Sequence, residues 1–328
     1  MATRRELLIM LGASALAAPL ACFAQQKGKV WRIGFLLQSE QSRVYRNIDV
    51  FKAGLRDLAY VEGRNYVIEQ QFARDDVARL PALAAELLVL KVDLFVTSGT
   101  PSAEAAHNAT REIPILITTV GDPVGSGFAA SLRRPGGNVT GLTSIATELH
   151  SKRLDLLRQI LPGMRRVGYL YNPDFSNDVM ALRQFESDCA KLQFTSIRAP
   201  VRKAEEVATA FRILQREKAQ GLIVSQASTN NAWRKDIVEH AAQHRLPAAY
   251  PISGYVESGG LFSYGTNVQD LYRRAAAYAD KIFKGAKPGD LPIEQPTTFE
   301  MVLNLKTAKA LGVTIPQSIL VQANKIIE

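Results

Sequence analysis

Short, continuously apolar runs alternate along the chain with longer amphipathic stretches. Uninterrupted apolar runs predict strands buried on both faces of a parallel sheet. They lie at residues 30–37, 94–97, 115–120, 167–171, 222–225 and 248–250. Apolar residues at helical spacing predict helices between them. These helices lie at residues 47–60, 76–90, 149–161, 179–192, 203–217, 231–244, 268–284 and 304–312, with another beginning at Thr100.

Other segments predict strands at the sheet edges and between the two halves. Residues 66–72 alternate like an edge strand, residues 194–199 also form a strand, and residues 299–303 predict a strand near the end of the chain. Residues 139–144 and 259–265 are interpreted as strands at which the chain crosses from one half to the other.

The apolar runs of the first half recur in the second half, in the same order and about 130 residues later. The matched segments are residues 32–37 with 166–171, residues 93–98 with 221–226, and residues 113–114 with 246–247. A helical stretch separates each run from the next in both halves. The pattern predicts two similar α/β lobes in tandem, with a ligand cleft between them.

Alternating strands and helices imply parallel sheets with right-handed crossovers. Ligands of such sheets bind beyond the carboxyl ends of the strands. The predicted strand ends carry hydroxyl, amide, glycine and tyrosine residues, which suit capture of a small polar molecule. The candidate ligand-binding residues are Ser39, Ser98, Gly99, Thr100, Thr119, Gly121, Asp122, Tyr171, Asn172, Ser225, Tyr250 and Tyr264.

Each of these candidates has a structural alternative. Residues 98–100 open a helix and predict an anion seat, but Thr100 also suits a helix N-cap that precedes Pro101. Asp122 would bind a ligand ammonium group or form the turn before Pro123. Tyr171 and Tyr250 would enclose an apolar ligand group or pack in the core. The sequence leaves these alternatives open.

No enzyme, cofactor or metal is predicted. His240 and His244 lie one helical turn apart, but Ala241 occupies the position where a zinc protease helix carries Glu. The segment GSGFAA at residues 125–130 fits a dinucleotide-binding pattern only formally, because its first glycine follows the strand too late. A catalytic serine elbow and a Walker loop are both missing from the sequence.

The net charge bears on the partners of the protein, and the first residues bear on its compartment. The chain has 328 residues and a net charge of +9, but its arginine pairs are scattered, so we expect no nucleic-acid partner. Residues 1–24 combine Arg4 and Arg5 with a short apolar run and predict an export signal, by the general or the twin-arginine route. A lipid anchor at Cys22 is the less favoured alternative. Cleavage after Ala24 would leave Cys189 without a disulfide partner.

Six motifs together resemble an uncharacterised ABC-transporter substrate-binding protein family that includes tryptophan/tyrosine-type binding proteins. They are LFVTSGTP at residues 94–101, VGDPVGSG at 120–127, PGGNVTG at 135–141, GGLFSYG at 259–265, IFKGAKP at 282–288 and NLKTAKALG at 304–312. The resemblance implies a type I periplasmic-binding fold of two Rossmann-like lobes joined by a three-crossing hinge. Residues 30–143 plus 265–290 would form the N-terminal lobe, and residues 144–264 plus 291–328 the C-terminal lobe.

The resemblance implies a monomeric periplasmic receptor that passes a small organic solute to an inner-membrane ABC permease. Relatives often carry an Asp-bearing segment where this chain has residues 226–231, which contain no acidic residue. That departure favours an aromatic or other organic carboxylate over an amino acid. A sensor for a signalling partner is the alternative. An enzyme or a repressor is less favoured, since an export signal stands where a repressor carries its DNA-binding helices.

Overall fold

The computed structural model describes residues 29–144 and 149–328, and the predicted export signal lies outside them. Residues Trp31–Glu328 group into one unit, which contains both lobes. Among the described residues, no helix combines the length and the apolar character that a membrane span requires.

The first lobe is built on a five-stranded parallel sheet. Its strands are β1 (Trp31–Leu37), β2 (Tyr66–Phe72), β3 (Leu94–Ser98), β4 (Ile115–Val120) and β5 (Val139–Thr143). Their spatial order is β2-β1-β3-β4-β5. The helices between them are α1 (Gln41–Asp57), α2 (Leu80–Val89) and α3 (Thr100–Ala109). The sheet is buried on both faces, because Phe35 packs with α1 and its neighbour Leu36 packs with α2.

The second lobe repeats this plan. Its first strands are β6 (Arg166–Tyr171), β7 (Thr195–Pro200), β8 (Gly221–Val224), β9 (Ala248–Tyr250) and β10 (Phe262–Thr266). The helices are α4 (Leu149–Ile160), α5 (Ser176–Lys191), α6 (Val207–Arg216), α7 (Ser228–Ala232), α8 (Arg234–Gln243) and α9 (Ser253–Glu257). The order β7-β6-β8-β9-β10 matches that of the first sheet. The tandem repeat predicted from the sequence is therefore confirmed.

The last part of the chain contributes elements to both lobes. Helix α10 (Val268–Phe283) packs along α1 of the first lobe, where an added Cβ on Gly54 would lie 2.7 Å from the Ala276 Cβ. Strand β11 (Phe299–Asn304) then pairs antiparallel with β10 and parallel with β12 (Lys325–Ile327). Helices α11 (Leu305–Leu311) and α12 (Gln317–Leu320) lie between these strands.

The chain thus passes between the lobes three times, after β5, after β10 and before β11. The first two passages lie side by side, because the Thr266 hydroxyl donates to the Ser144 carbonyl at 2.8 Å. Before the third passage the chain is still attached to β5, since the Glu294 N–H donates to the Gly141 carbonyl at 2.9 Å. The lobe boundaries given above stay a prediction.

The helices lie within about six residues of their predicted bounds, but one predicted helix is divided and another has a different N-cap. The predicted helix 231–244 is divided at Trp233 into α7 and α8. Helix α3 begins at Thr100 itself, so its N-cap is Gly99 and the prediction that Thr100 is the cap is wrong. Gly99 has φ of 80°, a left-handed conformation that glycine adopts without strain, and this lets the helix begin one residue earlier.

Candidate functional site

A cleft of about 1250 Å³ lies between the lobes, at the carboxyl ends of both parallel sheets. Its position is the one that the topology predicts for a ligand. The volume exceeds the roughly 300–1,000 Å³ of common small-molecule pockets. The cleft therefore has room for a ligand with a large side group.

The first lobe contributes the loop between β3 and α3. Thr119 stabilises this loop, because its Oγ1 lies 2.8 Å from Ser98 Oγ and accepts from the Gly99 N–H at 3.0 Å. The N–H groups of the first turn of a helix have no acceptor inside the helix, and the helix dipole gives that end a partial positive charge. The start of α3 is therefore a suitable seat for a carboxylate.

The second lobe places a buried carboxylate in the cleft wall. Asp178 lies in the first turn of α5, and its Oδ2 accepts from the Ser225 hydroxyl at 2.6 Å and the Asn172 N–H at 2.8 Å. Burial raises the pKa of Asp178 to about 6, and the hydrogen bonds from Ser225 and Asn172 oppose that rise. No cation pairs with this carboxyl group among the described residues.

Side chains of α7 fix the groups that hold Asp178. The Asn230 amide donates to Ser225 Oγ at 2.9 Å, and the Asn172 amide donates to Thr229 Oγ1 at 3.3 Å. Asn172, Ser225, Thr229 and Asn230 are all buried. The position of the carboxylate is thus set by a connected polar network, which favours a single geometry.

The two lobes contact each other directly across the cleft. The Asn177 amide donates to Thr100 Oγ1 at 2.8 Å, and Ser126 Oγ lies 3.4 Å from Asn177 Oδ1. A second contact is made by Ser228, whose hydroxyl donates to Gln38 Oε1. These contacts link the lobes in a closed arrangement.

Seven of the predicted site residues line the cleft, and five do not. Those in the lining are Ser39, Ser98, Gly99, Thr100, Thr119, Gly121 and Asn172. The others lie behind it or away from it. They are Asp122, Tyr171, Ser225, Tyr250 and Tyr264.

Several of these five residues have a structural role in place of ligand binding. Asp122 Oδ1 accepts from the Gly125 N–H at 2.8 Å, so its carboxylate closes a turn. Tyr250 is buried and stacks on Tyr255 with ring centroids 4.9 Å apart. Tyr171 is buried in a core cluster of the second lobe. Ser225 contributes indirectly, because its hydroxyl binds Asp178.

Some predicted residues do not line the cleft because of the direction in which strand side chains point. Successive residues of a strand point to opposite faces of the sheet, and helices cover both faces here. A residue at the end of a strand can therefore point into a helix layer, as Tyr250 and Tyr171 do. Tyr264 lies in the middle of β10 and packs against Phe299 of β11 with ring centroids 6.0 Å apart.

Several cleft residues were not predicted from the sequence. Phe175 and Trp233 are partly exposed aromatic side chains in the lining, and Asp178 is its buried carboxylate. Asp178 follows the strand-end residue Asn172 by only six positions. A search that extended from each strand end into the first turn of the next helix would have found it.

A buried arginine lies behind the cleft wall, beside a lining histidine. Arg153 donates from Nε to the Tyr264 carbonyl at 2.7 Å, and its Nη1 lies 3.2 Å from His150 Nδ1. Burial, followed by the charge of Arg153, holds the pKa of His150 well below its usual value. The neutral ring can then accept from Arg153 at Nδ1 and donate to the Tyr169 hydroxyl, 2.9 Å from Nε2. This network ties α4 to β10 beside the chain crossings.

The part of the chain that the structure describes contains no cluster of three acidic, histidine or cysteine side chains able to hold a metal ion. His240 and His244, which the sequence places one turn apart, both stack on Phe211 with ring centroids 5.5 and 5.7 Å away. The pair thus packs against the core side chain of α6.

Comparisons with known proteins agree with this geometry. Residues 35–327 match the family model described as ABC transporter substrate binding protein. A tyrosine-binding protein of Clostridioides difficile (strain R20291) is 30% identical over 261 residues, which cover 80% of this chain and 75% of that protein.

Two solved structures give the same fold in different states. The ABC domain in complex with L-Trp from Streptococcus pneumonia has a TM-score of 0.85 at 25% identity, covering 91% of this chain and all of that one. A ligand-free, open substrate binding protein with adhesive properties from Clostridium difficile has a TM-score of 0.67 at 28% identity, covering 91% of this chain and 99% of that one. The described arrangement is thus more similar to the ligand complex than to the open form.

Proposed function

Because the chain belongs to the ABC transporter substrate-binding protein family, we propose that it captures a free α-amino acid in the cleft between its lobes and delivers it to an ABC permease. We also propose that residues 1–24 direct its export to the periplasm. The proposal about the ligand depends on the charges of the cleft.

One observation supports the amino acid above other solutes: the cleft offers two complementary seats on opposite lobes. The start of α3 suits a carboxylate, and Asp178 suits an ammonium group. A buried carboxylate without a cation is costly, so a ligand that supplies the cation is favoured over one that does not. An α-amino acid carries both charges on neighbouring groups and would bridge the two lobes.

Asp178 also changes the expectation drawn from residues 226–231. The absence of an acidic residue there favoured ligands without an ammonium group. In the fold, Asp178 comes from α5 but is held by Ser225, the residue directly before that segment. A carboxylate is therefore available beside β8 although the segment after β8 lacks one.

The rest of the cleft favours a large aromatic side group. Phe175 and Trp233 are partly exposed in the lining, and aromatic rings bind other rings by stacking or edge contacts. The volume of about 1250 Å³ leaves room beyond the amino-acid end of a ligand. Two of the more similar proteins, a tyrosine-binding protein and an ABC domain in complex with L-Trp, support an aromatic amino acid here.

Capture and release would use the three chain passages as a hinge. The bonds between Asn177 and Thr100 and between Ser228 and Gln38 join the lobes only when the cleft is closed. A ligand that contacts both lobes adds to these bonds and shifts the equilibrium towards closure. The closed form would then be the state that the permease recognises.

A thermal-shift screen of the protein without residues 1–24 tests the proposal. Aromatic amino acids should raise the melting temperature, since a ligand at 100 times its Kd stabilises a folded protein by about 2.7 kcal/mol. Sugars and simple carboxylic acids serve as comparison solutes. The proposal is wrong if no amino acid shifts the transition while a solute without an ammonium group does.

A further inference from the structure

The base of the first lobe, at the amino ends of its strands, exposes several large apolar side chains. It comprises residues 58–65, 89–93, 110–114, 134–138 and 284–290. Leu58 and Val61 are 40% and 50% exposed, and Val89 and Leu90 are 80% and 40% exposed. In the described loops before β6, β7, β8 and β9, which form the matching end of the second lobe, the one such side chain is Leu192. Exposed apolar side chains that gather at one end of a lobe indicate an interaction surface.

Backbone hydrogen bonds place the two apolar pairs of the base side by side. The Trp31 N–H donates to the Asn65 carbonyl at 3.0 Å, which joins β1 to the loop before β2. The Asp93 N–H donates to the Arg32 carbonyl at 2.7 Å, which joins β1 to the loop before β3. Strands β2 and β3 are the two neighbours of β1. With about 4.8 Å between neighbouring strands, the loops that carry the two pairs enter the sheet about 10 Å apart.

Exposed basic side chains surround these apolar residues. One lies in each segment that leads into β2, β3, β4 and β5, and another follows α10. The segment after α10 belongs to the same end, because the Gly136 N–H before β5 donates to the Gly289 carbonyl at 3.1 Å. Five basic residues of the base form no ion pair within the described ranges. They are Arg64, Lys91, Arg111, Arg134 and Lys287.

The acidic residues of the base do not cancel this charge. Glu62 pairs with Lys52 at 2.9 Å, and Asp93 accepts from the Arg32 N–H at 2.8 Å. Glu112 and Asp290 are exposed and form no ion pair with a described residue. Two unpaired acidic groups thus face five unpaired basic ones, and the base carries a net positive charge.

The chain enters the first lobe at this same end. Trp31 begins β1 and lies seven residues after Ala24, where the predicted export signal ends. Its ring stacks on Phe283 at the end of α10, with ring centroids 4.5 Å apart. An N-terminal segment attached to a membrane, before cleavage or through a lipid on Cys22, would therefore hold the base towards the bilayer.

We propose that the base of the first lobe binds the surface of an anionic phospholipid bilayer. Its valine and leucine side chains enter the headgroup region, while its arginine and lysine side chains pair with lipid phosphates. The cleft lies at the carboxyl ends of the strands, so membrane contact leaves it open to solute. The contact raises the effective concentration of the receptor beside its permease. The inference goes beyond the proposed function and does not depend on which solute binds.

Co-sedimentation of the protein without residues 1–24 with lipid vesicles tests this proposal. Binding to mixed phosphatidylglycerol–phosphatidylcholine vesicles should be at least about tenfold stronger than binding to phosphatidylcholine vesicles. High salt should weaken it, because exposed charges are screened. Arg64→Gln and Lys91→Gln should each weaken binding by about fivefold. Val89→Ser should weaken it by about threefold, because less apolar surface leaves water.

The second lobe offers matched controls. Arg245→Gln and Val321→Ser make the same changes at exposed positions of that lobe, and both variants should bind vesicles as the wild type does. All five substituted side chains are exposed and lie outside the cleft lining. Melting temperature and amino-acid affinity should therefore stay unchanged in every variant, which separates lipid binding from the work of the cleft.

Equal binding to both kinds of vesicle, no binding to either, or equal losses in the second-lobe controls would overturn this inference. A dimer that forms without vesicles and that Val89→Ser dissociates would assign the base to a second copy of the chain and would also overturn it. Each of these results leaves amino-acid binding intact. A protein that binds anionic vesicles but no amino acid would contradict the proposed function alone.

Discussion

Asp178 gives the sharpest prediction, because the same carboxyl group should control both ligand affinity and the stability of the free protein. Its oxygen is buried and accepts from Ser225 and Asn172, and no cation among the described residues balances its charge. Two perturbations follow: lowering the pH, which protonates Asp178, and the substitution Asp178→Asn, which removes the charge and preserves the shape.

The raised pKa fixes the pH range of the effect on binding. Burial raises the pKa of Asp178 from 3.8 to about 6, so the charged form that binds an ammonium group is dominant only above pH 6. At pH 5 about one molecule in ten carries the carboxylate. The apparent Kd should therefore increase by about 10-fold between pH 7 and pH 5, because affinity scales with the binding-competent fraction.

Stability of the ligand-free protein should change in the opposite sense. Since the folded pKa is above the unfolded one, the folded state holds more protons between about pH 4 and pH 6, and stability falls as the pH rises through that range. The full effect is on the order of 3 kcal/mol. Asp178→Asn should lose this dependence, melt at a higher temperature than the wild type at pH 8, and no longer bind an amino acid.

Isothermal titration at pH 5 to 8 and thermal melts of both proteins measure these effects. Asp174→Asn is the matched control, because Asp174 also lines the cleft but is exposed and already pairs with Arg202. It should change neither the pH profile nor the affinity. Unchanged wild-type affinity between pH 5 and pH 7, or normal binding by Asp178→Asn, would refute this reasoning.

Two further predictions concern closure and packing. Thr100→Val and Asn177→Ala both remove the bond between Thr100 and Asn177, so titration should show a loss of ligand affinity of about 2- to 12-fold for each. The double variant should bind no more weakly than Asn177→Ala, which also loses the contact with Ser126, and additive losses would contradict this. Gly265→Ala should lower the free energy of unfolding by about 1–3 kcal/mol or more in urea melts, because its Cβ would lie 1.8 Å from the Pro251 carbonyl. Gly163→Ala, with open space around it, should have little effect, and equal losses would contradict the packing argument.

The strands of both sheets were predicted closely from the sequence. Continuous apolar runs leave little choice in a two-faced parallel sheet, and strands β2 and β9 have the bounds that the pattern predicts. The shared order of the repeated segments also predicted two similar lobes, and the matching strand orders agree with this. The strand bounds and the repeat depend on the pattern of apolar residues, which can be read from a single sequence.

Two short elements near the end of the chain were not predicted. Helix α12 has four residues, too few for a helical spacing to emerge, and strand β12 begins with the charged Lys325, unlike the continuously apolar strand β9. The break between α7 and α8 has a tertiary cause, because Thr229 and Asn230 turn inward to bond Asn172 and Ser225. A local sequence pattern does not predict hydrogen bonds to residues that lie far away in the sequence.

The site was predicted as a region but not as a set of side chains. Strand ends located the cleft, yet the sequence does not say which side chains point off the sheet edge and which point into a helix layer. Tyr250 therefore looked suitable and is buried, whereas Asp178 was overlooked because its partners Ser225 and Asn172 follow different strands.

A crystal structure of the protein grown with L-tyrosine tests the central claim most directly. The account predicts the amino acid inside the cleft, with its ammonium nitrogen about 3 Å from an Asp178 oxygen and its carboxylate at the first N–H groups of α3. A ligand outside the cleft, or one inside it whose ammonium group faces away from Asp178, would contradict the account.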